Sequence, residues 1–213
     1  MDTTPNLWQN GWWQPARRAS SPNFCAREAG EKISLAVLHN ISLPPFEYGT
    51  GAVEKLFTNS IDEAEHPFYS IIKDLRVSSH FFIARTGETV QFVSCNDTAY
   101  HAGVSSFDGR EKCNGFSVGI EIEGCDFEPF TDAQYAALLP LLSALMEQYP
   151  IEASKYRSRP QNRPRPFFRL AAAGSSGIPR PPLIFQTASP PRIKLSAGGK
   201  FRYNPSILLT LRG

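Results

Sequence analysis

Charge divides this chain more sharply than any other feature. All 20 acidic residues lie within residues 1–153, beside 10 Lys and Arg, whereas residues 154–213 hold 12 Lys and Arg and no acid. The same tail carries nine of the 18 prolines, among them Pro160, Pro164, Pro166, Pro181 and Pro182. Proline fixes φ and removes a backbone donor, which disfavours helix interiors and central strands alike. The net charge of +2 therefore averages over two unlike parts. A folded acidic body over residues 1–153 and a poorly ordered basic tail over residues 154–213 are expected.

The body has the length and apolar content of a single domain with one sizeable core. Ile33 to Leu38 is a short β-rich run suited to a buried strand, and it delivers His39 to its carboxyl end, where α/β folds tend to place sites. A Pro- and Gly-rich loop, Asn40 to Gly51, follows, and Phe68 to Leu75 reads as a short helix. Ser79 to Ala84 and Thr89 to Val93 flank a Thr86-Gly87-Glu88 turn, the pattern of a hairpin. Val118 to Glu123 alternates, so that Glu121 and Glu123 share one face of a strand. A helix is predicted from Asp132 to Tyr149, with Thr131 as N-cap and Gln134 completing a capping box. Its apolar stripe is Tyr135, Leu138, Leu139, Leu142, Leu145, Met146 and Tyr149, and Pro140 within it is expected to kink it. The fold class is α/β, a single domain with a central mixed β-sheet flanked by helices.

The N-terminal stretch has neither a basic segment nor an apolar run of the signal-peptide kind, and no other run is long enough to span a bilayer. Cys25, Cys95, Cys113 and Cys125 show no CxxC pairing, so reduced thiols and a cytoplasmic location are expected. Neither a membrane nor a nucleic-acid partner is expected, and the chain is expected to be monomeric.

Taken singly, the chemically capable side chains say little. A lone His at a strand end, such as His39, is more often a hydrogen-bonded core residue than a ligand. The polar face of a strand, here Glu121 and Glu123, is usually just solvated. His80 and His101 read first as structural residues, and His66, beside Pro67, as a surface one.

Their order carries more. Leu38-His39-Asn40-Ile41-Ser42-Leu43-Pro44-Pro45 is followed by Leu75-Arg76-Val77-Ser78-Ser79-His80, by Tyr100-His101-Ala102-Gly103-Val104-Ser105, and by Cys113-Asn114-Gly115-Phe116-Ser117-Val118-Gly119-Ile120-Glu121-Ile122-Glu123-Gly124. Over roughly residues 6–152 this closely resembles the cytosolic anhydro-N-acetylmuramoyl-L-alanine amidases, relatives of the phage amidases and the peptidoglycan recognition proteins. The resemblance implies a muropeptide substrate and a catalytic zinc held by two His and one Asp, with a position left open for water. It makes His39 the first zinc ligand and Glu121 the group that takes a proton from the metal-bound water. It makes Asn40, Arg76, Tyr100 and Lys112 substrate contacts, Tyr100 standing where the family usually has Trp.

The resemblance also implies a second His, a Lys and an Asp after the long helix, yet no His or Asp follows Asp132. A set of synonymous codons for Ala153 to Leu170 exists whose reading one nucleotide later begins with His and continues through Ala-Pro-Gly-Arg-Lys-Thr-Asp-Pro-Gly-Pro, the family's own continuation. A frameshift near Ala153 accounts for that coincidence and for the acid-free tail. Three functions remain open: a zinc amidase impaired by loss of two ligands, a non-catalytic muropeptide-binding remnant, and a binder of nucleic acid or anionic surfaces acting through the basic tail, which would be salt-sensitive.

Overall fold

The computed structural model describes residues 7–151. The domain boundary expected at residue 153, the basic tail and its expected disorder lie outside the described residues. Five strands form the central sheet: β1 (Arg17–Arg18), β2 (Leu35–Ile41), β3 (Phe81–Ile83), β4 (Thr89–Gln91) and β5 (Ser117–Glu123). Their order across the sheet is β1-β4-β3-β5-β2. β5 pairs in parallel with both β2 and β3, while β3 and β4 form the antiparallel hairpin expected around Gly87. The sheet is therefore mixed, and β5 is buried along all seven of its residues.

Alternation along β5 separates two environments. Val118, Ile120 and Ile122 join Phe81, Ile83, Leu138, Leu141, Leu142 and Leu145 in one apolar cluster. The last four come from α3 (Asp132–Gln148), whose capping box forms as predicted between Thr131 and Gln134. The helix runs unbroken past Pro140, and its buried face differs from the predicted stripe. Leu139 is 47% exposed while Leu141 is fully buried. Gln134 lies on the buried side as well: its side-chain amide donates to the carbonyls of Ile83 and Glu123, at 3.2 and 2.8 Å. A second cluster, including Leu43, Val53, Phe57, Tyr69, Phe82, Val90 and Phe92, contains residues of α1 (Ala52–Phe57) and α2 (Tyr69–Ile72). α1 follows Gly51 and is too short for periodicity to reveal. α2 is the core of the helix expected over Phe68 to Leu75.

Two side chains replace missing strand pairing beside β5. Arg27 donates to four backbone carbonyls: Cys95 at 3.0 Å, Asn114 at 3.2 Å, Gly115 at 2.7 Å and Ser117 at 2.8 Å. His80, just before β3, accepts the Gly119 N–H on Nδ1 at 3.0 Å and lies 3.1 Å from the Asp97 carbonyl through Nε2. Because Nδ1 accepts, Nε2 carries the proton and the ring is neutral. Burial, reinforced by nearby Arg27, pushes the His80 pKa down to about 3. All four cysteines are free.

A His whose native pKa is depressed contributes stability that is present above its unfolded pKa and lost as pH falls. Urea midpoints of the wild type should therefore decline as pH drops from 6.5 toward about 3. In His80→Asn, whose amide oxygen can still accept the Gly119 N–H, that decline should be shallower, by on the order of 2 kcal/mol.

Candidate active site

The parallel register sets His39 directly beside Glu121, on the sheet face opposite the α3 cluster. β2 runs on through His39 to Ile41, because β5 pairs with it in register along its whole length. His39 therefore lies within the strand and not beyond its end. Although β2 is the edge strand of the sheet, this pairing with β5 fixes the His39 backbone.

Glu121 is 8% exposed, which departs from the solvated face expected of a strand carboxylate. Its Oε2 is buried without a hydrogen-bond partner among the described residues. Burial raises its pKa from 4.5 to about 8. Glu123, two residues on, is also buried, but it accepts the Gly49 N–H at 2.6 Å and the Arg85 N–H at 2.8 Å. The two carboxylates thus have different surroundings: Glu123 is bonded to two loops, and Glu121 keeps one buried oxygen unbonded. An unpaired carboxyl oxygen in a low-dielectric setting is costly to maintain, which is typical of sites selected for chemistry.

His39 Nε2 lies 3.0 Å from Nδ1 of His101, and the two rings meet edge to face at 5.2 Å. Burial pushes the His39 pKa down to about 4, so the ring is neutral near pH 7. Sequence reasoning set His101 aside as structural. The signal that could have found it is Gly119, an isolated glycine in the apolar alternation of β5, which marks a close backbone approach. A β-carbon at Gly119 would run into the His101 ring. The backbone N–H groups of His101 and Ala102 both donate to the Asn114 side-chain oxygen, at 3.2 and 2.8 Å, which fixes where that ring begins.

The other predicted contacts are more dispersed. Asn40 donates to Asp126 at 2.7 Å. Tyr100 immediately precedes His101 and is half-buried, with its pKa raised by a hydrogen bond to Cys25. Lys112 is exposed, in a left-handed conformation at φ 59°, at the start of the 3₁₀ turn Cys113–Phe116 that carries Asn114. Arg76 is exposed and bonded to the Lys73 and Leu75 carbonyls. Among the described residues no contact joins Arg76 or Lys112 to His39 or Glu121.

A mixed sheet that sets an imidazole against a buried, unpaired carboxyl defines a hydrolase-type centre. Residues 29–163 match the family model described as N-acetylmuramoyl-L-alanine amidase. The chain belongs to this amidase family. It is 49% identical over 148 residues to the 1,6-anhydro-N-acetylmuramyl-L-alanine amidase AmpD of Citrobacter freundii, covering 70% of this chain and 79% of that protein. It is likewise 49% identical over 144 residues to AmpD of Escherichia coli K12, covering 68% and 79%. A solved structure described as a Se-Met AmpD derivative superimposes with a TM-score of 0.66 at 50% identity, covering 68% of this chain and 80% of that one.

Removing the Glu121 charge should stabilise the metal-free fold under alkaline conditions. A carboxyl whose native pKa is raised favours the native state while protonated and opposes it once ionised. The stability of Glu121→Gln relative to wild type, from urea midpoints in chelator-treated protein, should therefore grow as pH rises from about 4.5 and level off above about 8.

Proposed function

We propose that this chain descends from a zinc-dependent amidase that hydrolyses the bond between anhydro-N-acetylmuramic acid and L-alanine in muropeptides, a step of cell-wall recycling in the cytoplasm. The observation that carries this reading is the in-register placement of His39 beside Glu121, with a buried carboxyl oxygen left unpartnered. The names of the two curated relatives support the choice of substrate. In this reading Glu121, held near neutrality by burial, exchanges a proton with the attacking water, the task for which a raised carboxyl pKa is suited. Asn40, Arg76, Tyr100 and Lys112 are proposed to contact the substrate, with the two cations suited to carboxylates of the peptide stem. The enzyme is proposed to act as a monomer.

His39 is proposed as one zinc ligand. A catalytic zinc takes three protein ligands, and among the described residues no group of three His, Cys, Asp or Glu could hold a metal. The described residues therefore do not fit a complete zinc centre. No His or Asp follows Asp132 in the sequence, so the residues beyond 151 supply neither of the other two family ligands. We propose that a frameshift near Ala153 has removed them together with the family Lys, leaving an impaired enzyme. The same absence favours a second reading, a remnant that binds muropeptide without cutting it. The family match reaches residue 163, a short distance past the proposed break, and leaves residues 164–213 outside it.

The full chain should take up zinc at well below one equivalent by elemental analysis and release no more than a trace of peptide from anhydromuropeptide. A version with the alternative frame restored from Ala153 onward should bind one zinc and cleave the substrate. In that restored protein Glu121→Gln should lower the rate by about 10²–10⁴, with zinc content unchanged. Stoichiometric zinc and full turnover in the present chain, or a gene whose alternative frame across codons 150–172 lacks the His, Lys and Asp string, would refute the impairment.

A further inference from the structure

We infer that His101 is a positioning residue that locks His39 in its Nε2–H tautomer and leaves Nδ1 as the only lone pair on the His39 ring. The inference rests on the reading of His39 as a functional residue, since a ligand or base needs such a lone pair.

The assignment follows from a chain of hydrogen bonds with one fixed end. Ser117 Oγ lies 2.6 Å from the Cys113 carbonyl, and a carbonyl oxygen can only accept. The Ser117 hydroxyl proton is therefore committed to Cys113. His101 Nε2 lies 3.1 Å from the same Oγ, so the hydroxyl accepts and His101 Nε2 donates. The His101 ring is packed against two other imidazoles, with centroids 5.2 Å from His39 and 5.8 Å from His80, and as a neutral imidazole it carries a single proton. With that proton on Nε2, Nδ1 is an acceptor. His39 Nε2, 3.0 Å away, must then be the donor. A proton on His39 Nδ1 would set two lone pairs against each other at 3.0 Å. Among the described residues His39 Nδ1 has no hydrogen-bond partner, so nothing there competes for it.

The surrounding groups hold this relay in place without joining it. Gly119 leaves room for the His101 ring, and Asn114 grips its backbone. His80, whose ring centroid is 5.8 Å from that of His101, is occupied by Gly119 and Asp97. Sequence-distant segments thus cooperate to determine one proton position. Histidines that act through one nitrogen are commonly oriented by a hydrogen bond at the other. Here the orienting group is a second histidine, itself oriented by a hydroxyl tied to the backbone.

The test is the tautomeric state of His39 in the full chain, read from two-bond ¹H–¹⁵N histidine spectra near neutral pH after chelation, with the signal assigned through His39→Gln. Wild type should show His39 wholly in the Nε2–H form. In His101→Phe, which keeps a ring over Gly119 but offers no acceptor, the Nδ1–H form should appear alongside it. In His101→Asn, whose side-chain oxygen takes the place of Nδ1, the single Nε2–H form should return. A wild-type His39 that carries its proton on Nδ1 would overturn the inference even if neither variant folded. So would a His39 spectrum unchanged in His101→Phe, or an Nδ1–H signal in His101→Asn equal to that of His101→Phe. Zinc takes no part in this readout, so stoichiometric zinc uptake by the present chain counts against the proposed impairment alone.

Discussion

The parallel pairing of Leu35–Ile41 with Ser117–Glu123 is the constraint on which the other features depend. It is seven residues long, in register throughout, and buried along the central strand. A slip of one residue would exchange the two faces of the central strand, sending Glu121 toward Leu141 and Leu145 and Ile120 toward His39. The apolar row of Val118, Ile120 and Ile122 against the long helix makes such a slip costly, at about 25 cal/mol per Å² of apolar surface exposed. Core packing on one face therefore fixes the relation of His39 to Glu121 on the other. Position in the site is a by-product of hydrophobic burial two atoms away through the backbone.

That arrangement also explains why so many polar groups cluster where a strand partner is missing. Arg27 satisfies four carbonyls with one guanidinium, and His80 accepts an amide that a neighbouring strand would otherwise take. These groups are saturated and contribute rigidity. Glu121 Oε2 is not saturated. The contrast between fully bonded Glu123 and unpaired Glu121 distinguishes scaffold from candidate chemistry more clearly than either residue type could.

Much of this was legible in the sequence because its signals were periodic or local. The alternation of β5, the Thr86-Gly87-Glu88 turn and the Thr131/Gln134 capping box each depend on neighbours within four residues. What was misread depended on distant partners. The predicted stripe takes in Leu139 and omits Leu141, whereas the helix buries Leu141 on the side from which Gln134 reaches across to Ile83 and Glu123. Glu123 looked solvated because the Gly49 and Arg85 amides that bind it come from two separate loops. The two-residue strands Trp8–Gln9 and Trp12–Trp13 are too short to carry a period, so composition alone gave no hint of them. His101 looked merely structural because its importance comes from contacts with His39 and Ser117, which lie 62 and 16 residues away.

The paired strands form a frame built wholly from residues 35–41 and 117–123. Native-state amide hydrogen exchange on the full chain measures this most directly. The amides of Leu38, His39, Gly119 and Glu121 should exchange only through global unfolding, sharing one opening free energy that tracks the urea-derived stability. Exchange of these amides at the rate of the exposed Val104 loop, in a chain whose long helix remains protected, would contradict the claim that this pairing holds the site together.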